Sequence, residues 1–365
     1  MRIIIKVGSN ALVKSNKSIN EKNIDKIISI IKRLRDDGCE VLLVTSGAVA
    51  FGMNKLNINK KPSDISVKQA CAAVGQVSLM ATYEHVCMKY GFSCAQILLC
   101  QDDFENRLRM VNMTNTIEAL FENKVLPIVN ENDALAVDEI KVGDNDTLSA
   151  QLVPMINAKI LVLVSDIDGL YDKNPKEYQD AKMIKVVENI NNDLYKMAGD
   201  KITSYGTGGI TTKLKAADIA TGAGAKMYIV SSNNLDNIIN AYNGTFYGTL
   251  FKEKEKRINN RMHWLIYKTK CKGDIIVDDG AIDAIKNHKS LLPGGIIGVN
   301  GDLLKDSVVY IKDKSENIIA KGITNYRKEE IKEIMGCKSK DIKNILGYVN
   351  KDEVIHVDDI ILIEG

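Results

Sequence analysis

Six short apolar runs, each closed by a polar or glycine-rich turn, mark out the early part of this 365-residue chain: 3–7, 41–45, 94–99, 125–129, 160–165 and 227–231. Runs of this length without polar alternation have the pattern of strands buried on both faces. Segments of helical period lie between them. Ile24, Ile27, Ile28, Ile31 and Leu34 fall on one face of a helix that should end near Gly38. Residues 111–123 and 211–223 repeat the pattern. Strands and helices in alternation predict an α/β protein, an α/β/α sandwich whose mostly parallel central sheet is covered by helices on both faces. The strand order is not readable.

In such a sheet ligands collect beyond the carboxyl ends of the strands, so the residues after each run are the candidate site. In Lys6-Val-Gly-Ser-Asn10, Gly8 lets the backbone approach a ligand and Lys6 can meet a phosphate; a lysine before a turn is also an ordinary surface charge. No GxxxxGK[ST] loop is present. In Thr45-Ser46-Gly47, hydroxyls and amides at a strand–helix junction suit an anion, though small residues there equally serve packing. GxSxG is absent, and no His is placed for a Ser–His pair.

The stretch after 125–129, NENDALAVDEIKVGDNDTLSA, carries Asn130, Glu131, Asn132, Asp133, Asp138, Glu139, Lys141, Asp144, Asn145 and Asp146 around Gly143. It reads either as a solvated turn whose Asx side chains satisfy their own backbone or as one wall of a ligand site. Ser165-Asp166-Ile-Asp168-Gly resembles part of a calcium loop but lacks the closing Glu in register. A strand-end Ser/Asp pair facing a nucleotide and a plain Gly/Pro turn are the two readings left. Gly206-Thr207-Gly208-Gly209-Ile210-Thr211-Thr212-Lys213 opens a helix, and its successive amides, hydroxyls and lysine make a nest for phosphate. Together these segments point to phosphoryl transfer without a covalent intermediate, which needs two substrates held in line and positive charge on the moving group, with a carboxylate to hold the lysines.

Composition removes several alternatives. A net charge of +2 gives no general attraction to nucleic acid or to an acidic membrane surface. Seven scattered cysteines without a CxxC pair argue against a disulfide framework or a zinc site and for a reducing, cytoplasmic setting. Four unpaired histidines argue against a His-ligated metal. The apolar start MRIIIKVGSNAL is too short for a signal peptide or membrane span.

The pattern changes after residue 251. Residues 252–272 are basic, lack a clear period and hold the single Trp264, as a linker would. From 273 to 365, β-type runs at 274–277, 307–311, 318–321, 354–357 and 360–363 alternate with turns and predict a small β-rich, barrel-like domain. The expected organisation is therefore 1–251, a linker at 252–272, and 273–365.

The motifs KVGSNAL, VTSGAVAFG, NENDALAVDEIKVGDNDTLSA, LVSDIDGLYDKNP and GTGGITTKLKAA occur in the order and spacing of the amino acid kinase family, which the chain resembles over essentially its whole length. The tail, with SLLPGGIIGVNG at 290–301, resembles a PUA domain. The NEND…EIKVGDND loop is similar to that of members acting on free glutamate. Relatives acting on N-acetylglutamate, aspartate, carbamate or UMP share the glycine-rich and lysine motifs but not this loop.

The resemblance implies that the side-chain carboxylate of L-glutamate attacks the γ-phosphoryl group of ATP, giving L-glutamyl 5-phosphate for proline synthesis. Lys6 and Lys213 would neutralise the transferring group, with Asp146 orienting them. Ser46, Asp133 and Asn145, assisted by Asn130, would hold glutamate. Lys6, Ser165, Asp166, Thr207, Gly208, Gly209, Ile210, Thr211, Thr212 and Lys213 would hold ATP, with Mg2+ arriving on the nucleotide. It further implies a homo-oligomer, feedback by proline, and a separate glutamyl phosphate reductase downstream, since the chain ends after the tail.

Two departures stand out. Ser165 replaces the usual Thr, keeping the hydroxyl, and Lys305-Asp306-Ser307 occupies a turn where the family commonly has Gly followed by an acid. PUA domains also occur in RNA-binding proteins. The tail from Lys272 on carries 14 basic against 17 acidic residues and few aromatics, which argues against RNA. A kinase for another small carboxylate stays open.

Overall fold

The computed structural model describes residues 1–14, 18–135, 145–173, 175, 177–191, 194–195, 209–254 and 271–363. Two compact units divide the chain, Met1–Ile258 and Asn259–Gly365. Residues 255–270, most of the expected linker and Trp264 with it, lie outside the described residues, as do Asp138, Glu139, Lys141, Gly143 and Asp144.

In the first unit all six apolar runs are strands: β1 (Arg2–Val7), β2 (Glu40–Val44), β3 (Cys94–Leu99), β4 (Leu126–Glu131), β5 (Ile160–Ser165) and, after three two-residue strands, β9 (Lys226–Ser231). The short ones are β6 (Leu170–Tyr171), β7 (Met183–Ile184) and β8 (Val186–Val187), and β10 (Thr249–Phe251) follows β9. The main sheet runs β3-β4-β2-β1-β5-β9-β10-β8. The first six are parallel; β10 turns antiparallel to β9 and carries β8 beside it. Every residue of β4 and β5 is buried, which is why their sequences show no alternation, whereas β3, at the edge, is half-exposed along most of its length.

The helix Glu21–Asp36 buries Ile24, Ile27, Ile28, Ile31 and Leu34 as the spacing requires. The Asn20 side chain accepts from the Asn23 amide at its start, and Gly38 sits just past its end at φ +80°. The helices Arg107–Glu122 and Ile210–Gly222 cover the other two periodic segments. No stripe of large apolar residues announces the 25-residue helix Ile65–Lys89. Beside Leu79, Tyr83 and Val86 its buried face carries small residues, Cys71, Ala72 and Gly75. It lies against the helix Ala48–Lys55 so closely that a Cβ on Gly75 would stand 1.8 Å from the Ala48 carbonyl oxygen, and one on Gly52 would stand 1.7 Å from that of Cys71. The contact is backbone to backbone, and it seats the Thr45–Gly47 turn at the end of β2.

The chain lays β2 on one side of β1 and, after β3 and β4, returns to place β5 on the other. Such a reversal opens a crevice beyond the strand ends. Lys6 is in register with Val44 of β2 and Leu163 of β5, and Val44 with Val129 of β4. Lys6, Thr45, Asn130 and Ser165 therefore leave the sheet at nearly one level.

In the second unit, β11 (Gly273–Val277), β12 (Ile296–Gly301), β13 (Val308–Lys312), β14 (Ile318–Ile323) and β15 (Ile360–Leu362) form a sheet ordered β12-β11-β13-β14-β15. Only β11 and β13 pair in parallel. Residues 354–357, expected as a strand, are not one: Val354 and Ile355 are fully buried, and Ile355 makes only an isolated bridge to Leu291. Their apolar character reports burial without a ladder. The turn at 305–307 is left-handed without a glycine, with Asp306 at φ +64°, a conformation that Asp tolerates better than most residues.

Because the Gly75 contact leaves no room for a side chain, Gly75→Ala should cost about 3 kcal/mol or more by forcing the two helices apart. A thermal melt followed by circular dichroism reads this; an unchanged midpoint would contradict the backbone contact.

Candidate active site

Three charged side chains from distant parts of the chain meet beyond β1. Lys6 Nζ lies 2.6 Å from Asp146 Oδ1, and Lys213 Nζ donates to Asp146 Oδ2 at 2.9 Å. Asp146 stands in the first turn of the helix Asn145–Met155, where an acid also meets the positive end of the helix dipole. Lys213 stands in the first turn of the helix Ile210–Gly222. Burial alone would push the Asp146 carboxyl up; the charges of Lys6 and Lys213 outweigh it and hold the group well below the ordinary carboxylate range. Asp146 and Lys213 are 3% and 6% exposed, so two cations share one anion with little water between them. The uncompensated positive charge makes this a place for an anion.

Beside the triad is a chain of uncharged groups. Asn145 Nδ2 donates to the Thr45 carbonyl oxygen at 2.8 Å, to Ser46 Oγ at 2.9 Å and to Asn130 Oδ1 at 3.1 Å. Asn130 Nδ2 donates to Gln76 Oε1 at 2.9 Å, and Gln76 Nε2 to Gln96 Oε1 at 2.9 Å. Thr45 Oγ1 shares a 2.9 Å hydrogen bond with Tyr83 OH, whose burial pushes its pKa well up, so the pair stays neutral. Asp133 lies half-buried in the turn after β4. Asn145 and Asp146 are neighbours in sequence and join this chain to the triad.

Across β1, at the end of β5, Ser165 Oγ donates to Asp166 Oδ1 at 3.1 Å and Asn10 Nδ2 donates to Asp166 Oδ2 at 3.3 Å. Gly209 is the N-cap of the helix that carries Lys213, and no side chain caps that end. Thr212 Oγ1 donates to the Gly209 carbonyl, Ile210 is half-buried and Thr211 is exposed. Among the described residues no side chain takes the amides of this helix start, which suits them to an anion. Thr207 and Gly208 lie outside the described residues.

The structure therefore brings Lys6, Asp146 and Lys213 into one cluster and Ser46, Asn130 and Asn145 into another. It adds Asn10, which the sequence reading quoted without a role, and Gln76 and Gln96, which it did not name. A signal for Gln76 existed: Ala72, Gly75, Gln76, Leu79 and Tyr83 form one buried stripe of the helix Ile65–Lys89, and a polar residue on such a stripe needs a partner.

Residues 1–231 match the Amino acid kinase family and residues 273–346 the PUA domain. The chain belongs to the amino acid kinase family. Its curated relatives include the glutamate 5-kinase of Thermoanaerobacter sp. (strain X514), 44% identical over an alignment that takes in 100% of this chain and 98% of the relative. The glutamate 5-kinase of Caldanaerobacter subterraneus subsp. tengcongensis is 43% identical over the same shares. Among solved structures, carbamate kinase from Giardia lamblia bound to AMP-PNP is 15% identical, covers 69% of this chain and 98% of its own, and superposes with a TM-score of 0.49, a likeness too distant to bear on the site.

Asp146 gains its lysine partners on folding, so the folded chain holds this carboxyl ionised to lower pH than the unfolded chain, where an Asp titrates near about 3.9. The stability that follows is complete above that value and is lost as pH falls through the depressed folded value. Asp146→Asn should therefore start from a lower midpoint of urea unfolding yet lose less of it between about pH 5 and pH 2. Parallel acid curves for parent and variant would count against the triad as the source of that slope.

Proposed function

We propose that this chain is a glutamate 5-kinase, transferring the γ-phosphoryl group of ATP to the side-chain carboxylate of L-glutamate. The observation that carries this reading is the Lys6–Asp146–Lys213 triad joined through Asn145 to a neutral, hydrogen-bonding pocket wall. Residues 1–251 would be the kinase domain, 252–272 the linker and 273–365 the PUA-like domain, which the division near Ile258 supports.

A carboxylate nucleophile is already ionised at neutral pH, so no general base is required. The work left to the protein is alignment and charge neutralisation. Ser46, Asp133 and Asn145, with Asn130 behind them, would hold glutamate by its amino and α-carboxylate groups and aim its side chain at the triad. Ser165, Asp166 and the 207–213 segment would hold ATP with its phosphates at the helix start. One glutamate oxygen forms a bond to the γ-phosphorus; the bond from that phosphorus to its bridging oxygen breaks, and its electron pair leaves with ADP. Lys6 and Lys213, held apart by the two oxygens of Asp146, meet the charge on the transferring group from two directions.

The donor set fits a Mg2+ that travels with the nucleotide. Asp146 is neutralised by lysines, Asp166 is held by Asn10 and Ser165, and among the described residues no group of three His, Cys, Asp or Glu could cage a metal. Phosphate oxygens and water would hold the ion, which supplies further charge neutralisation. Proline would compete at the glutamate end, and homo-oligomerisation and a cytoplasmic setting complete the reading, the last supported by seven free cysteines.

Acyl phosphate trapped as hydroxamate should form with glutamate in preference to N-acetylglutamate or aspartate; preference for either alternative would overturn the substrate assignment. In the same assay Lys213→Ala should lower kcat by about 100-fold or more. Asp133→Ala should act mainly on the KM for glutamate. Equal effects of both substitutions on both constants would contradict the division of roles.

A further inference from the structure

The four amides Gln96, Gln76, Asn130 and Asn145 form a relay whose direction is fixed at one end. Asn145 faces the backbone carbonyl of Thr45 at 2.8 Å, and a carbonyl only accepts, so the atom presented to it is Nδ2. The same nitrogen then meets Asn130 Oδ1, which leaves Asn130 Nδ2 to donate to Gln76 Oε1, and Gln76 Nε2 to donate to Gln96. A primary amide has one accepting and one donating end, so each link inherits its orientation from the one before. Gln76 and Asn130 are 8% and 1% exposed, and neither amide can turn over without setting like groups against each other.

One group in the relay is left over. Asn145 Oδ1 is buried and meets no donor among the described residues. A buried acceptor without a partner is costly and calls for a donor, and the described residues supply none. Of the polar groups on glutamate at neutral pH, both carboxylates only accept; the ammonium alone donates.

We propose that Gln76 is a positioning residue which, through Asn130, holds Asn145 with its carbonyl oxygen turned to the ammonium group of the bound amino acid, so that the relay makes the site distinguish an amino-bearing diacid from one without the amino group. The proposal rests on the glutamate reading above. Gln76 itself lies on the helix Ile65–Lys89, one residue removed from Asn145, and acts only by accepting from Asn130. Without that acceptor Asn130 is free to turn over and set its NH2 group against that of Asn145, so that the Asn130 link opposes the Thr45 carbonyl instead of reinforcing it and Asn145 is loosened.

The test compares glutamate with glutarate, the same diacid lacking the amino group, as substrate and as competitive inhibitor. In Gln76→Leu the KM for glutamate should rise about 10-fold, while kcat, the KM for ATP and the inhibition constant of glutarate stay within about two-fold. Gln76→Glu keeps an acceptor facing Asn130, and the exposed Gln96 amide can turn its NH2 group to the new carboxylate, so this variant should stay near the parent. A parallel weakening of glutamate and glutarate, an unchanged KM in Gln76→Leu, or a Gln76→Glu as impaired as Gln76→Leu would overturn the proposal. If Gln76→Leu does not fold, Gln76→Met takes its place; failure of both to fold would assign Gln76 a purely structural role and overturn it as well. A parent protein that forms no hydroxamate with glutamate would instead overturn the functional reading, so the two failures are told apart.

Discussion

Two lysines drawn onto one buried carboxylate set the terms for the rest of the kinase unit. Lys6, Asp146 and Lys213 are far apart in sequence and come from a strand end and two helix starts, so the triad closes only when β1 and the helices Asn145–Met155 and Ile210–Gly222 are all in place. Buried ion pairs are poor sources of net stability, because desolvation cancels most of the attraction. This one leaves an excess positive charge at a strand end facing the crevice. Its value is in what that charge is ready to receive. The parallel sheet with β1 near its middle is the scaffold that permits the arrangement, since it puts polar groups from several strands at one level.

The position of the neutral half of the site depends on glycine rather than on charge. Gly52 and Gly75 let two helices touch backbone to backbone, and this fixes where Thr45, Ser46 and Gly47 stand after β2. Tyr83 then hydrogen-bonds to Thr45 from the same helix that presents Gln76 to Asn130. A single helix, Ile65–Lys89, thus supports both the β2 turn and the β4 end.

That helix also marks the limit of what the sequence discloses. Strands β4 and β5 were legible because burial on both faces removes alternation, and Glu21–Asp36 because its isoleucines repeat at helical spacing. Strand order was not legible, nor was the antiparallel turn of β10 and β8 at one edge, since two- and three-residue strands carry no period. Residues 354–357 misled because an apolar run records burial, and burial does not require a ladder. At the site, residues directly after strands could be named from position alone. Gln76 could be marked only as a polar residue on a buried stripe; its partner could not be named, because Asn130 lies 54 positions away.

The two halves of the site use different physics, and their chemistry accounts for it. Phosphoryl transfer develops and moves charge, so the triad meets it with two cations whose positions are fixed beforehand by Asp146. Recognition of a small zwitterion needs direction as well as field, because its ammonium donates where its carboxylates accept. A wall of amides anchored on the Thr45 carbonyl carries a definite direction without adding net charge beside the triad. Lysines or carboxylates in place of these four amides would have set further charge a few ångströms from the triad in a low-dielectric interior; the carboxylate assigned to holding glutamate, Asp133, stands instead in the turn after β4. The boundary between the two halves is one peptide bond, between Asn145 and Asp146: one side chain turns to the amide relay and the next to the lysines. Substrate alignment and charge neutralisation are therefore coupled through the first turn of one helix.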